Sequence, residues 1–241
     1  MARTFALFGS GEFLPWAQDV DRSALDRATA GDGSVVILPA ASAQEGNEVF
    51  NDWASRGLRH YETIGVPARV SALRDRAGAF DEDLVAQLEG ASMFYFSGGN
   101  PAYLADTLRG TPFWQAIVTA LDEGAVLAGC SAGACFVGET APDPSGVVVE
   151  REKSWYVAGL RLLPGLSFGP HWDALDSWEP GLTDFIVTNT PAEQRLVAID
   201  EDTAMIGDGT DWEVLGNGTI SIFRDGERIA GPLERGALFS L

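Results

Sequence analysis

Basic residues are scarce. The 241-residue chain carries 16 Lys and Arg against 35 Asp and Glu, a formal net charge of −19, and Lys153 is its only lysine. So acidic a chain repels a phosphate backbone, which excludes nucleic acid as the expected partner. The charge itself fits either a high-salt cytoplasm or base composition, and it carries no information about fold. Long apolar runs are missing too, with nothing near the ~18 residues of a membrane span. Cysteine is limited to Cys130 and Cys135, which resemble neither a disulfide framework nor a zinc site and read as buried structural thiols. The start of the chain, Met1–Gly9, is too short for a signal peptide and reads as a first strand. A cytoplasmic protein is the resulting expectation. There are two histidines, His60 and His171, so any imidazole chemistry must use one of them.

What is present is ample core material, with 46% hydrophobic residues, enough for one α/β domain spanning 1–241. Strand and helix patterns alternate through the first 140 residues. Thr4–Phe8 and Ser34–Leu38 are strand-like, and Glu45–Tyr61 has helical spacing. Arg69–Leu73 reads as a strand, Asp81–Leu88 as a helix and Met93–Phe96 as a strand. Helical patterns follow at Ala102–Leu108 and Phe113–Asp122. This order predicts a mostly parallel sheet covered by helices on both faces, three layers in all. Ligands of such sheets bind at the carboxyl ends of the strands. Beyond Ala141–Gly146, a turn cluster, Phe185–Thr188 is apolar enough for a helix. Strand-like pieces then fall at Leu196–Ile199, Thr203–Ile206, Glu213–Leu215 and Thr219–Phe223. Gly207-Asp208-Gly209 and Gly216-Asn217-Gly218 punctuate them, and Asn217-Gly218 signals a hairpin.

The most informative stretch is Ala125–Ala134. A short apolar run ends at Gly129, and Cys130-Ser131-Ala132-Gly133 leads into a helical pattern. This is G-x-S-x-G, a nucleophile elbow, in which small neighbours permit a sharp strand-to-helix turn and the serine Oγ projects from the sheet edge. The Ala132 N–H would lie at a helix N-terminus, where an oxyanion develops. Ser97-Gly98-Gly99-Asn100, at another strand end, offers a second backbone donor. For the base, His60 reads as a solvated histidine on an exposed helix. His171, between Pro170 and Trp172, is held at a loop or strand end and can accept a serine proton near neutrality. Glu139, Asp143, Glu150, Asp173 and Glu201 are candidates to orient it. Glu201 is favoured because the strand Leu196–Ile199 runs into Asp200-Glu201-Asp202, with Glu150 and Asp173 behind it.

Together, the Gly98-Gly99-Asn100 turn, the Gly129–Ala134 elbow, Leu162-Leu163-Pro164-Gly165 before His171, and Ile199–Ala204 resemble the serine peptidases of the peptidase E (aspartyl dipeptidase) and cyanophycinase family. The resemblance runs from Ser34 to about Leu215. It implies a fold similar to class I glutamine amidotransferases, here with C-terminal β-hairpins. It implies Ser131 as nucleophile, His171 as base, Glu201 as third member, and an oxyanion hole from Gly99 and Ala132. Asn100, Trp172 and Asp173 are expected to contact substrate. One departure stands out. Members acting on aspartyl substrates are expected to have basic residues soon after the histidine, and Trp172–Glu179 has none. A carboxylate clamp would have to come from Arg151, Arg161 or Arg195.

The expectation is therefore a serine peptidase acting on a small peptide or amide, with no metal or organic cofactor, and a homodimer is compatible with it. Two rivals share the motifs. One is an amidotransferase- or esterase-like hydrolase, and the other a non-catalytic binding or regulatory homologue.

Overall fold

A central strand that buries both faces must be apolar on both, and the first strand of the chain is. In the computed structural model, which describes residues 3–144 and 155–241, β1 (Thr4–Phe8) turns Phe5 and Leu7 to one core and Ala6 and Phe8 to the other. β2 (Val35–Leu38), β4 (Met93–Phe96) and β5 (Val126–Cys130) alternate in the same way. With β3 (Ala68–Val70) they pair in parallel. Three antiparallel strands, β10 (Thr203–Gly207), β11 (Asp211–Gly216) and β14 (Leu238–Ser240), complete an eight-stranded sheet of order β14-β11-β10-β1-β5-β4-β2-β3.

One face is covered by α1 (Ala17–Asp26) and α2 (Asn47–Thr63). The other carries α3 (Glu82–Ala86), α4 (Pro101–Leu108) and α5 (Pro112–Glu123), which makes the three expected layers. A second sheet shares that face, in the order β13-β12-β9-β8: β8 (Leu166–Pro170), β9 (Arg195–Ile199), β12 (Ile220–Arg224) and β13 (Glu227–Leu233). β6 (Thr140–Pro142) and β7 (Tyr156–Ala158) form a small ribbon. Among the described residues no helix is long and apolar enough to cross a membrane.

Two local expectations fail. Asn217-Gly218 makes no hairpin, because β11 and β12 lie in different sheets. The backbone there is captured by the turn after β9: Asn217 N–H donates to Asp202 O and Gly218 N–H to Thr203 Oγ1. Asp200 Oδ2 accepts from both N–H and Oγ1 of Thr219. Hairpins form instead at Asp208-Gly209-Thr210, between β10 and β11, and at Asp225-Gly226, between β12 and β13.

His60 is the second. It is buried, not solvated, with Nε2 2.6 Å from Asp21 Oδ2. The inward stripe of α2 is Phe50, Ala54, Gly57, His60 and Tyr61. Gly57 lies on that stripe, and a Cβ there would come within 2.8 Å of Ile37 Cδ1, so its absence lets the helix approach β2 closely.

Candidate active site

Three strand ends meet at one edge. Register pairs Phe8 with both Cys130 and Ala204, so the end of β5 and the start of β10 flank the end of β1. In the second sheet Pro170 pairs with Ile199, so β8 and β9 end together. Ser131, His171 and Glu201 are the first or second residues beyond these ends.

The elbow is tight. Ser131 has φ +53° and ψ −111°, an unfavourable region for a residue with a side chain. α6 (Ala132–Cys135) starts immediately after it. A Cβ on Gly129 would lie 1.9 Å from Gly133 O, and one on Gly133 2.1 Å from Phe96 O. Only glycine permits this turn. His171, at φ +131°, is likewise in a backbone region that L-residues rarely occupy. Two such residues side by side are the mark of geometry held for a task.

His171 Nε2 lies 2.7 Å from Ser131 Oγ, and His171 Nδ1 lies 3.0 Å from Glu201 Oε1. Glu201 is thus the one described carboxylate, among those proposed, that reaches the imidazole. Glu139 pairs instead with Arg161 at 3.1 Å, and Asp173 Oδ1 accepts the Glu201 N–H at 2.8 Å. Glu150 lies outside the described residues, as does Arg151.

The two expected oxyanion donors line the same cavity as Ser131 and His171. Gly98 N–H donates to Glu12 Oε1 and Asn100 N–H to Ala41 O, whereas the Gly99 and Ala132 N–H groups make no hydrogen bond within the described residues. Gly99 has φ +141°, and a Cβ there would strike Ala41 C at 2.3 Å.

The three expected substrate contacts are otherwise engaged. Asn100 Oδ1 caps α4 by accepting the Tyr103 N–H at 3.0 Å. Trp172 faces away from its neighbour His171, covering Gly169 and packing on Phe223 at 5.2 Å. Asp173 holds the Glu201 backbone. The aromatic beside His171 is Trp178, 5.1 Å away on α7 (Leu175–Trp178), and sequence reasoning missed it. Glu12 was missed as well. It is 7% exposed, and its Oε2 accepts from the Cys130 thiol at 2.9 Å. The signal was a carboxylate at the carboxyl end of the central strand, in Gly9-Ser10-Gly11-Glu12. Burial, and then the Glu12 carboxylate, push the Cys130 thiol well up, and burial does the same for Cys135. Both thiols therefore stay protonated. Among the described residues no three His, Cys, Asp or Glu side chains gather as a metal site.

The sequence model of Peptidase family S51 matches residues 5–215. The chain belongs to peptidase family S51. This S51 member is a serine peptidase, a hydrolase with the peptidase E-like fold. It is 27% identical over 222 residues to a cyanophycinase of Nostoc sp. (strain PCC 7120), covering 90% of this chain and 72% of that one. It is 29% identical over 208 residues to a cyanophycinase of Thermosynechococcus vestitus, covering 81% and 60%. The crystal structure of a peptidase from an acI-B1 actinobacterium superposes with a TM-score of 0.89 at 27% identity, covering 100% of this chain and 98% of that one. A putative peptidase E protein from Listeria monocytogenes, at 19% identity and a TM-score of 0.62 over 89% of this chain and 98% of that one, shares the fold.

Proposed function

We propose that this S51 peptidase hydrolyses small peptides through a covalent intermediate on Ser131. The observation that carries the reading is the unbroken series Ser131 Oγ, His171 Nε2, His171 Nδ1, Glu201 Oε1, with 2.7 and 3.0 Å separations. With Nδ1 protonated and donating to Glu201, Nε2 presents its lone pair to the serine hydroxyl. As Oγ bonds to the scissile carbonyl carbon, its proton passes to Nε2. The carbonyl oxygen gains charge between the Gly99 and Ala132 N–H groups, which no protein acceptor competes for among the described residues. Collapse breaks the C–N bond, and the imidazolium returns the proton to the leaving amine. Water, activated by the same nitrogen, then releases the acid and frees Ser131.

The reading extends to a cytoplasmic enzyme. Two free buried thiols suit a reducing compartment, and the −19 charge suits a peptide rather than a nucleic acid substrate.

Substitution tests the reading directly. Ser131→Ala lowers turnover of the best peptide in a dipeptide library by ~10³-fold or more while leaving the circular dichroism spectrum intact. A fluorophosphonate probe labels wild type at Ser131. Unchanged hydrolysis by the alanine variant overturns the assignment.

A further inference from the structure

We infer that the chain has a second small-molecule site, at the sheet edge opposite the triad, which binds a small polyanion (a polycarboxylate or a phosphate ester) on Arg3, Arg195 and Arg224. A cavity of about 620 Å³ opens there, within the roughly 300–1,000 Å³ of small-molecule sites. β1, β8 and β9 run from it to the catalytic edge. Phe5, Leu166 and Arg195 line it, and Phe8, Pro170 and Ile199 end the same strands beside the triad. Arg195 is four positions before Ile199, ~13 Å at strand rise, so it belongs to this cavity and not to the triad.

The arginines are placed at a cost. β9 and β12 pair antiparallel, with Ile220 opposite Ile199 and Phe223 opposite Leu196, and the next step of that register sets Arg224 opposite Arg195. Side chains so opposed share a face with Cβ atoms ~5 Å apart, where like charges repel. With 35 acidic residues against 16 basic ones, an acid is the commoner neighbour for an arginine, yet here two arginines meet and Arg3 joins them. An anion seated among them turns repulsion into attraction, because each guanidinium fork can give a carboxylate or phosphate two parallel N–H bonds.

Their present partners leave donors to spare. Arg3 Nε donates to Asp122 at 2.7 Å, and Arg224 Nε is 3.6 Å from Asp225 Oδ2, so the terminal nitrogens of both are outside these pairs. Among the described residues no carboxylate, side-chain or terminal, is in ion-pair distance of Arg195. None of the wall residues adjoins 145–154, whose neighbours Pro144 and Trp155 line the catalytic cavity instead. Met1 and Ala2, before Arg3, carry no acidic side chain. Two acidic side chains, Glu193 and Asp208, share the wall. Asp208 is committed to its own turn, where Oδ1 accepts the N–H groups of Thr210 and Asp211 at 2.8 and 2.9 Å.

Titration calorimetry of the purified full chain with citrate and, separately, with inorganic pyrophosphate tests this. Salt at ~0.15 M screens the distant acids of the chain beyond about 8 Å and leaves contacts inside the cavity in force. The expected result is one equivalent bound by wild type and by Ser131→Ala alike, with affinity at least ~10-fold lower for Arg195→Gln. Arg195→Glu puts an acid opposite Arg224, which relieves the repulsion across the strands, and is expected to abolish binding while melting no lower than wild type. The probe held more tightly tells a polycarboxylate from a phosphate ester. Saturation by neither probe at ~10 mM overturns the inference. Binding that Ser131→Ala abolishes, or that both Arg195 variants retain, overturns it as well.

Discussion

Glu12 lies behind the Gly98-Gly99 turn, with Oε1 accepting the Gly98 N–H at 3.0 Å while Oε2 accepts from the Cys130 thiol. One carboxylate thus ties the turn that bears an oxyanion donor to the residue just before the nucleophile. A Cβ on Gly98 would sit 3.5 Å from Ser131 Cβ, so the turn and the serine are in near contact. Glu12→Ala leaves a buried N–H without an acceptor, a loss of about 1–3 kcal/mol in stability, and frees the aim of the Gly99 N–H. The expected outcome is kcat down ~10²-fold with a smaller change in KM. Glu12→Gln, which keeps an acceptor for Gly98, recovers most of it. Steady-state kinetics beside thermal unfolding separates this from simple destabilisation, since lost stability with unchanged kcat would assign Glu12 to the fold alone.

Glu201 is reached from two sides. Its carboxylate meets His171, and its N–H is held by Asp173 at 2.8 Å. Glu201→Gln is expected to lower kcat ~10²-fold, less than for a fully buried orienting acid because its side chain is 41% exposed. Asp173→Ala shifts the Glu201 backbone and costs about tenfold in kcat, whereas Asp173→Asn, which still offers Oδ1, costs less. A raised KM with intact kcat for Asp173→Ala would instead return Asp173 to the substrate-contact role first expected of it.

The two thiols flank the elbow without taking part in it. Both are buried and free, and burial keeps both protonated. Since only the thiolate reacts, a disulfide exchange reagent at pH 8 is expected to titrate neither thiol in the native enzyme and both after denaturation. Rapid native reaction of one equivalent, with loss of activity, would show that the Cys130 thiolate is accessible beside Ser131.

Asp21 supplies a pH dependence. Burial raises its pKa, against the opposing effect of His60 at 2.6 Å. A carboxyl group whose folded pKa is raised binds its proton more tightly in the native state. Its contribution to stability is therefore fully present below the unfolded value, about 4, and is lost as pH rises through the folded value. Asp21→Asn cannot ionise and escapes that loss. The stability of the variant relative to wild type is expected to increase with pH above about 4 and then level off, measured by urea unfolding across pH 4–8. A difference that shrinks with rising pH would mean that the His60 pairing outweighs burial.

Much of the enzyme was legible because its signals are local. Four of the five parallel strands of the large sheet, β1, β2, β4 and β5, are short apolar runs; the edge strand β3 carries Arg69 and was read from the sequence three residues further on, to Leu73. α5 announces itself with Thr111 as N-cap, Pro112 at its start and Gly124 in the left-handed region at its end. The elbow could be read from glycines that sterics demand at 129 and 133. The errors arose where local pattern and long-range pairing disagree. Asn217-Gly218 has the chemistry of a two-residue hairpin, yet Asp200 and Asp202 capture its flanks and send the chain into the other sheet. His60 has the polarity of a surface residue, but it shares the inward stripe of α2 with Phe50, Ala54, Gly57 and Tyr61 and finds a buried partner in Asp21.

Side-chain chemistry along the chain, with glycine where a Cβ cannot fit, was enough to single out a serine and an imidazole; it left the carboxylate open among Glu201, Glu150 and Asp173, and the family resemblance pointed to Glu201. Their meeting spans 40 and then 30 residues of intervening chain. That distance is closed only because β10 pairs with β1 while β9 leaves for the second sheet, so that the turn between them, bearing Glu201, lies across the ends of β5 and β8. Which of the two tryptophans after the histidine faces the cavity was decided at the same level: Trp172 turns to Phe223 and Trp178 to His171, since packing against distant elements, not local periodicity, sets the direction of each side chain.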